Sequence, residues 1–253
     1  MTVTEPQLGV GKRVRWDAWL VLWVGLVLVQ SVLLLNDARL DSLAWRVTRW
    51  FTGDQDAYKW VEYKAAHAAE LNAPFYDRID PPMRGRFYTR TEKVWRLFRD
   101  LGEPYLTVVL IVAVSIYDRR RVKAGVMLLA GTCAAGLFGA LIRMTGGRFR
   151  PIETDGVNHW EFLRGFHDGR DLAWPSGHAT LAFATAAVLT YLSPRGRWLF
   201  VVMAGGCAVA RVVMQAHFWS DAVFGGVLGW TVGWWVAVAL DRVIAPAEAR
   251  TTA

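Results

Sequence analysis

Three stretches of this chain, 18–35, 124–142 and 222–240, contain no charged residue. Each approaches the roughly 20 residues that a helix needs to cross the hydrocarbon core of a bilayer. A surface helix of a water-soluble protein would carry a polar face along such a length, and these carry none. The chain is therefore expected to fold in an apolar solvent. Composition agrees: 54% of the 253 residues are hydrophobic, where a soluble domain has about 45–50%. Mean hydropathy is +0.22.

The formal net charge of +7 would suggest a nucleic-acid partner in a soluble protein. No basic, aromatic-interleaved binding module accompanies it. The charge is read instead as basic residues flanking membrane helices, and no nucleic-acid partner is expected. Cys133 and Cys207 both lie inside apolar segments, which predicts packed thiols rather than a disulfide framework or a zinc site. Lys12, Arg13 and Arg15 precede the first apolar block as in a signal peptide. That block is too long for a typical signal core and lacks a small-residue cleavage site, so it reads as a retained first helix.

Hydropathy predicts an all-α, polytopic membrane helix bundle with six transmembrane helices, at 17–36, 103–118, 123–143, 177–192, 197–213 and 221–241. Residues 1–253 read as a single membrane domain: the first helix, an interfacial helical segment over 37–102, and a catalytic helix bundle over 103–241. The short connections Asp118-Arg119-Arg120-Arg121-Val122-Lys123 and Ser193-Pro194-Arg195-Gly196-Arg197 are basic, hence cytoplasmic by the positive-inside rule. Both termini are then cytoplasmic as well, in a bacterial inner membrane. Within 37–102, Leu40, Leu43, Ala44, Val47, Trp50 and Phe51 recur at helical spacing, with Asp41, Arg46 and Arg49 on the other face. This predicts an amphipathic helix on the membrane surface. A second helical stretch is expected near 56–72, a turn near 80–82, and a third helix from about Thr91.

Polar chemistry is concentrated at one set of helix ends. His217 and Asp221 are four residues apart and share a helix face. A carboxylate there can accept the proton of one imidazole nitrogen and leave the other free to attack. Arg211 ends an apolar segment, where a charge is costly without a partner. Its planar fork suits two phosphate oxygens. Pro175-Ser176-Gly177-His178 opens another apolar run. The free N–H groups of a helix start favour an anion, Ser176 adds a hydroxyl, and His178 can protonate a leaving oxygen. Arg143 and Arg150 flank Gly146-Gly147, a glycine pair that allows a close turn bringing both arginines together. By the topology above, all three groups lie on the extracytoplasmic side.

Taken together, Arg143-x6-Arg150-Pro151, Pro175-Ser176-Gly177-His178 and Arg211-x5-His217-x3-Asp221 resemble the type 2 phosphatidic acid phosphatase (PAP2) superfamily, whose motifs are written K-x6-RP, PSGH and SR-x5-H-x3-D. The motifs cover 143–221 and the helix arrangement roughly 100–241. Two positions depart from the pattern: Arg143 replaces the usual lysine, and Ala210 the usual serine. The resemblance implies His217 as the nucleophile, Asp221 as its orienting group, and His178 as the acid. It implies that Arg143, Arg150 and Arg211, with Ser176 and the Gly177 N–H, hold phosphate oxygens, with no metal and no cofactor. It also implies a lipid phosphate or diphosphate substrate, such as phosphatidic acid, phosphatidylglycerol phosphate, undecaprenyl diphosphate or lipid A phosphate. A vanadium-dependent haloperoxidase shares such a site, but the membrane spans and short chain argue against it. A transporter or scaffold is disfavoured because the charges cluster at one end rather than mid-bilayer. His159 and His167 match no strong metal-ligand spacing and read as surface or substrate-entry residues.

Overall fold

A computed structural model describes residues 39–52, 86–118, 122–151, 154, 157–167 and 172–251. The expected first helix at 17–36, the stretch near 56–72 and the turn near 80–82 lie outside these. The described residues form seven α-helices: α1 (Arg39–Thr52), α2 (Arg86–Asp100), α3 (Pro104–Tyr117), α4 (Val122–Gly146), α5 (Gly177–Leu192), α6 (Arg197–Val213) and α7 (Trp219–Thr251). Single turns of 3-10 helix at Arg164–Phe166 and Pro194–Gly196 join them.

Three helical stretches are long and apolar enough to cross a bilayer: Val122–Gly146, Pro194–Val213 and Trp219–Ile244. A fourth candidate is Lys93–Asp100 continued by Pro104–Tyr117 through a 60° bend. Gly177–Leu192 is apolar but shorter. The distribution of side-chain size is that of an integral membrane protein. The buried faces of α4 and α5 are rich in small residues, among them Gly125, Gly131, Ala135 and Gly139, and Ala179, Ala182, Ala184, Ala186 and Ala187. Large apolar side chains point outward instead, including Val126, Leu129, Leu137, Phe138 and Leu141 on α4 and Val108, Val109, Val112 and Ile116 on α3. In water such a surface would be a large exposed apolar patch. In lipid, small residues inside are what let helices pack closely.

The closest approach joins α5 to α7. Gly225, Gly229 and Gly233 form a stripe one helical turn apart on α7. A Cβ at Gly229 would stand 2.0 Å from the Thr180 carbonyl oxygen, and one at Gly233 2.7 Å from that of Ala184. The backbones therefore touch where side chains would otherwise intervene. Helix α2 meets α6 differently, with the Phe98 ring seated against Gly206.

Two ends of the bundle differ in chemistry. At one end Lys123 pairs with Asp241 at 3.1 Å, and the Tyr191 hydroxyl donates to Asp241 at 2.8 Å. These residues belong to the start of α4, the end of α5 and the far part of α7. The opposite end gathers the end of α4, the start of α5, the end of α6 and the start of α7. Every sequence motif lies there, because antiparallel neighbours alternate their ends.

Helix α1 docks on the bundle through the face that carries Asp41. Asp41, placed by period on the face opposite the apolar stripe, turns inward to Arg148 and Ser220, and Trp45 is 2% exposed. Leu43 and Val47 are on the surface. A buried cation and the N–H of Ser220, both bonded to Asp41, outweigh the helix's own apolar stripe in setting its rotation. Cys207 is buried as expected, whereas Cys133 is exposed on the outward side of α4.

Candidate active site

The loop after α4 is built on a glycine. Gly147 has φ +64°, and a Cβ there would lie 1.8 Å from the Glu161 carbonyl oxygen, so only glycine fits. The turn sends the chain into two isolated antiparallel bridges, Arg148 with Trp160 and Phe149 with Leu172. These pin Arg148 and the chain that leads to Arg150.

The end of α6 is closed by a Schellman-type turn. Gln215 adopts φ +54°, the Ala216 N–H reaches back to the Arg211 carbonyl at 3.1 Å, and the Gln215 N–H to Val212 at 2.8 Å. This arrangement uses up the last helical carbonyls and reverses the chain. It explains the spacing Arg211-x5-His217: the reversal sets the imidazole on the side of the helix end that carries the guanidinium. Helix α7 then starts at Trp219, with the Phe218 N–H capped by Asp221 Oδ2 at 2.7 Å. The start of α5 is tied to this corner by the Ser176 N–H, which donates to the Asp221 carbonyl at 3.1 Å.

Arg143 reaches from the last turn of α4 to the start of α5, its Nε–H donating to the Pro175 carbonyl at 3.2 Å. A Cβ at Gly177 would lie 2.5 Å from Arg143 Nη2, so the glycine makes room for the guanidinium. Arg211 and His217 are each 3% exposed, and Ser176 is fully buried. Among the described residues, the buried Ser176 Oγ and Arg150 Nε have no hydrogen-bond partner. His217 lies in the loop between α6 and α7. Burial, then the positive fields of Arg211, Arg150, Arg143 and His178, holds its imidazole well below its ordinary pKa of 6.5. All three arginines singled out in the sequence thus act on one neutral imidazole.

The His217–Asp221 pair takes a different form from the one expected. The residues are neighbours, but Nδ1 to Asp221 Oδ2 is 3.8 Å, beyond hydrogen-bond reach. The Nδ1 hydrogen bond goes instead to the Ala173 carbonyl at 2.9 Å. Asp221 is occupied by Arg148, whose Nη1 donates to it at 2.6 Å.

Arg148 escaped the sequence reading, which took the outer arginines of the motif. It is fully buried, and its donors also reach Asn158 Oδ1 at 2.8 Å, Ser220 Oγ at 2.7 Å and Asp41 Oδ2 at 3.0 Å. Its guanidinium lies over the Phe218 ring at 4.1 Å and 5.2 Å from the Trp160 ring centroid. Glu103 was also missed: its Oε1 lies 2.9 Å from His178 Nε2. The available signal was a lone carboxylate followed by proline at the head of an apolar helix. His159 is exposed and tilts against Phe149 at 4.9 Å, and His167 is exposed. Ala210, in place of the pattern's serine, is fully buried.

The sequence matches the PAP2 superfamily over residues 106–244, and the chain belongs to that superfamily. It is 30% identical over 110 residues to a lipid A 1-phosphatase of Rhizobium etli, covering 44% of this chain and 46% of that protein. It is 32% identical over 131 residues to a decaprenylphosphoryl-5-phosphoribose phosphatase of Mycobacterium tuberculosis, covering 51% of this chain and 67% of the relative. The matched region thus spans about half to two thirds of these relatives' length. Among solved structures, a transmembrane PAP2 type phosphatidylglycerolphosphate phosphatase from Bacillus subtilis matches with a TM-score of 0.45 and 17% identity, over 82% of this chain and 96% of that one.

Proposed function

We propose that the chain is a membrane-integral phosphatase that hydrolyses a lipid phosphate or diphosphate through a phosphohistidine on His217. What supports this reading is the gathering of Arg143, Arg150 and Arg211 at the bundle end that holds the buried His217 imidazole, whose pKa burial and their charge hold down. A neutral imidazole is the nucleophilic form, and a phosphoryl group is the electrophile whose oxygens match three forked cations.

His217 Nε2 attacks phosphorus while Nδ1–H stays on the Ala173 carbonyl. The N–P bond forms, the bond to the lipid oxygen breaks, and His178 gives that oxygen a proton. In the second half a water molecule attacks phosphorus, His178 takes its proton, and the N–P bond breaks to release phosphate. Arg143, Arg150 and Arg211 hold the non-bridging oxygens, with the Ser176 hydroxyl and the Gly177 N–H. Such charge stabilisation and positioning is most of what phosphoryl transfer asks of a protein. Phosphorylated His217 is cationic, and the Asp221 carboxylate, 3.8 Å away, stabilises it through space rather than by a hydrogen bond.

A lipid substrate fits the placing of these groups at one end of a bundle whose outer surface is apolar, and the two relatives are named for lipid A and decaprenyl substrates. The reading takes 1–253 as one domain of six spans with both termini cytoplasmic, which puts the site at the extracytoplasmic surface of a bacterial inner membrane.

The test is phosphate release by the detergent-purified chain across lipid monophosphates and diphosphates, with EDTA present. Release is expected to persist in EDTA and to vanish in His217→Ala, and the ³²P-labelled intermediate of the wild type to be acid-labile and alkali-stable. Release that needs added Mg²⁺, or that survives loss of His217, overturns the mechanism.

A further inference from the structure

The two histidines of the site have different partners, and the difference carries chemical information. His217 Nδ1 bonds a neutral backbone carbonyl at 2.9 Å. His178 Nε2 faces a carboxylate, Glu103 Oε1, at 2.9 Å. A carbonyl fixes a tautomer without favouring the cation. A carboxylate favours the imidazolium.

Glu103 is not placed there by a helix-capping role. It is the N-cap residue of α3, the position at which a side chain ordinarily bonds the first free N–H groups, yet its carboxylate makes no such bond. It reaches out of its own helix to α5 instead. The backbone that carries it is pressed against the same target. A Cβ at Gly102 would stand 2.6 Å from the His178 carbonyl oxygen and 2.8 Å from the His178 Cα. The 60° bend between Lys93–Asp100 and Pro104–Tyr117 falls at this contact. It aims the acid of one helix at the histidine of another. Glu103 and His178 side chains are 27% and 25% exposed, so the pair borders the open side of the site rather than its sealed floor. Other charges face the pair: Arg99 and Arg211 act on Glu103, and Arg211 and Arg150 on His178.

We infer that Glu103 is a positioning residue for His178, holding Nε2–H so that Nδ1 is the nitrogen that carries the proton to the departing lipid oxygen. The inference rests on the proposed phosphatase reading and adds to it the residue that separates acid from nucleophile. In the first half-reaction the Nδ1 proton moves to the leaving oxygen as the P–O bond breaks, and Glu103 faces a neutral imidazole. In the second, water returns the proton and the ion pair is restored.

The experiment compares two substrates that differ in need of an acid. A lipid phosphate must lose a poor alkoxide, which requires protonation. 4-Nitrophenyl phosphate loses a stable phenolate, which does not. For Glu103→Gln, kcat/KM on the lipid phosphate is expected to fall by roughly 10²-fold, at the low end of general-acid effects, while that on 4-nitrophenyl phosphate changes by less than about 3-fold. His178→Ala should lose lipid-phosphate activity at least as far and also slow turnover of 4-nitrophenyl phosphate, since it serves both half-reactions, and the double variant should lose no more than His178→Ala alone. Glu103→Asp, which keeps the charge on a shorter arm, should recover part of the lipid activity.

An equal loss on both substrates makes Glu103 a structural or phosphate-site residue and overturns the inference. So does full lipid activity in Glu103→Gln, or additive loss in the double variant. Should Glu103→Gln fail to fold, the Glu103→Asp ratio between the two substrates decides the same question. A wild-type chain that releases phosphate from no lipid phosphate defeats the phosphatase reading itself. An active wild type with an unselective Glu103→Gln defeats only the inference.

Discussion

Arg148 donates to Asp221 at 2.6 Å, with both side chains fully excluded from solvent. The carboxylate that spacing assigns to the nucleophile is therefore held by a cation from the loop after α4. This changes what a substitution there should do. Removing one partner of a buried ion pair leaves an uncompensated charge, at a cost of about 3–5 kcal/mol. Arg148→Ala is expected to lower the melting temperature sharply and to yield poorly folded protein in detergent. Asp221→Asn removes charge from the same corner and should lose stability as well as rate. An Asp221→Asn protein with wild-type melting and reduced kcat would return Asp221 to a purely catalytic role.

Asp41 brings α1 into the same network. Its Oδ1 accepts from the Ser220 N–H at 3.2 Å, and its Oδ2 meets Arg148 Nη2 at 3.0 Å and the Ser220 hydroxyl. Hydrogen bonds to charged groups contribute about 1.5–3 kcal/mol, and Asp41→Asn should forfeit a comparable amount. Amide exchange over 39–52 should accelerate in that variant while exchange in the core of α4 stays slow. Unchanged exchange over 39–52 would mean that α1 is held by packing around Trp45 alone.

The glycines of the bundle are not equivalent. A Cβ at Gly229 would meet the Thr180 carbonyl oxygen at 2.0 Å, whereas one at Gly136 meets nothing within 4 Å. Gly229→Ala must push α5 from α7 and should cost about 1–3 kcal/mol or more, as overpacking does. Gly136→Ala should be neutral or stabilising, because alanine is the better helix former. Thermal melts of the two variants, read side by side, test whether close backbone contact holds the bundle.

His217 links stability to pH. Its folded pKa lies well below 6.5, so as pH falls below about 6.5 the unfolded chain takes up a proton that the folded chain refuses. Stability is full above that pH and is lost progressively as pH falls toward the folded pKa, by at most about 1.4 kcal/mol per pH unit. Melting temperatures between pH 7.5 and pH 5 (about one unit either side of the ordinary value) should drop more steeply for the wild type than for His217→Gln. Phosphate, by favouring the imidazolium, should shrink the difference. Parallel slopes in the two proteins would show that His217 is not held neutral.

Hydropathy and motif spacing located α4, α5, α6 and the start of α7 within a few residues, while α7 continues to Thr251 rather than ending at 241, and they named Arg143, Arg150, Ser176, Gly177, His178, Arg211, His217 and Asp221 as one end of a bundle. This was legible because helix periodicity, charge exclusion from lipid and short motifs are local properties of a chain. Contacts between distant segments were not. Which acceptor takes the His217 proton, Ala173 or Asp221, depends on where a loop carbonyl falls after the turn at Gly147. The inward rotation of α1 depends on a buried guanidinium 107 residues along the chain. The pairing of Glu103 with His178 spans 75 residues and requires the bend before Pro104. Sequence determines which groups must be sheltered from lipid; packing decides which partner shelters each one, because a buried charge bonds what the folded backbone brings within 3 Å of it, wherever that lies in the chain.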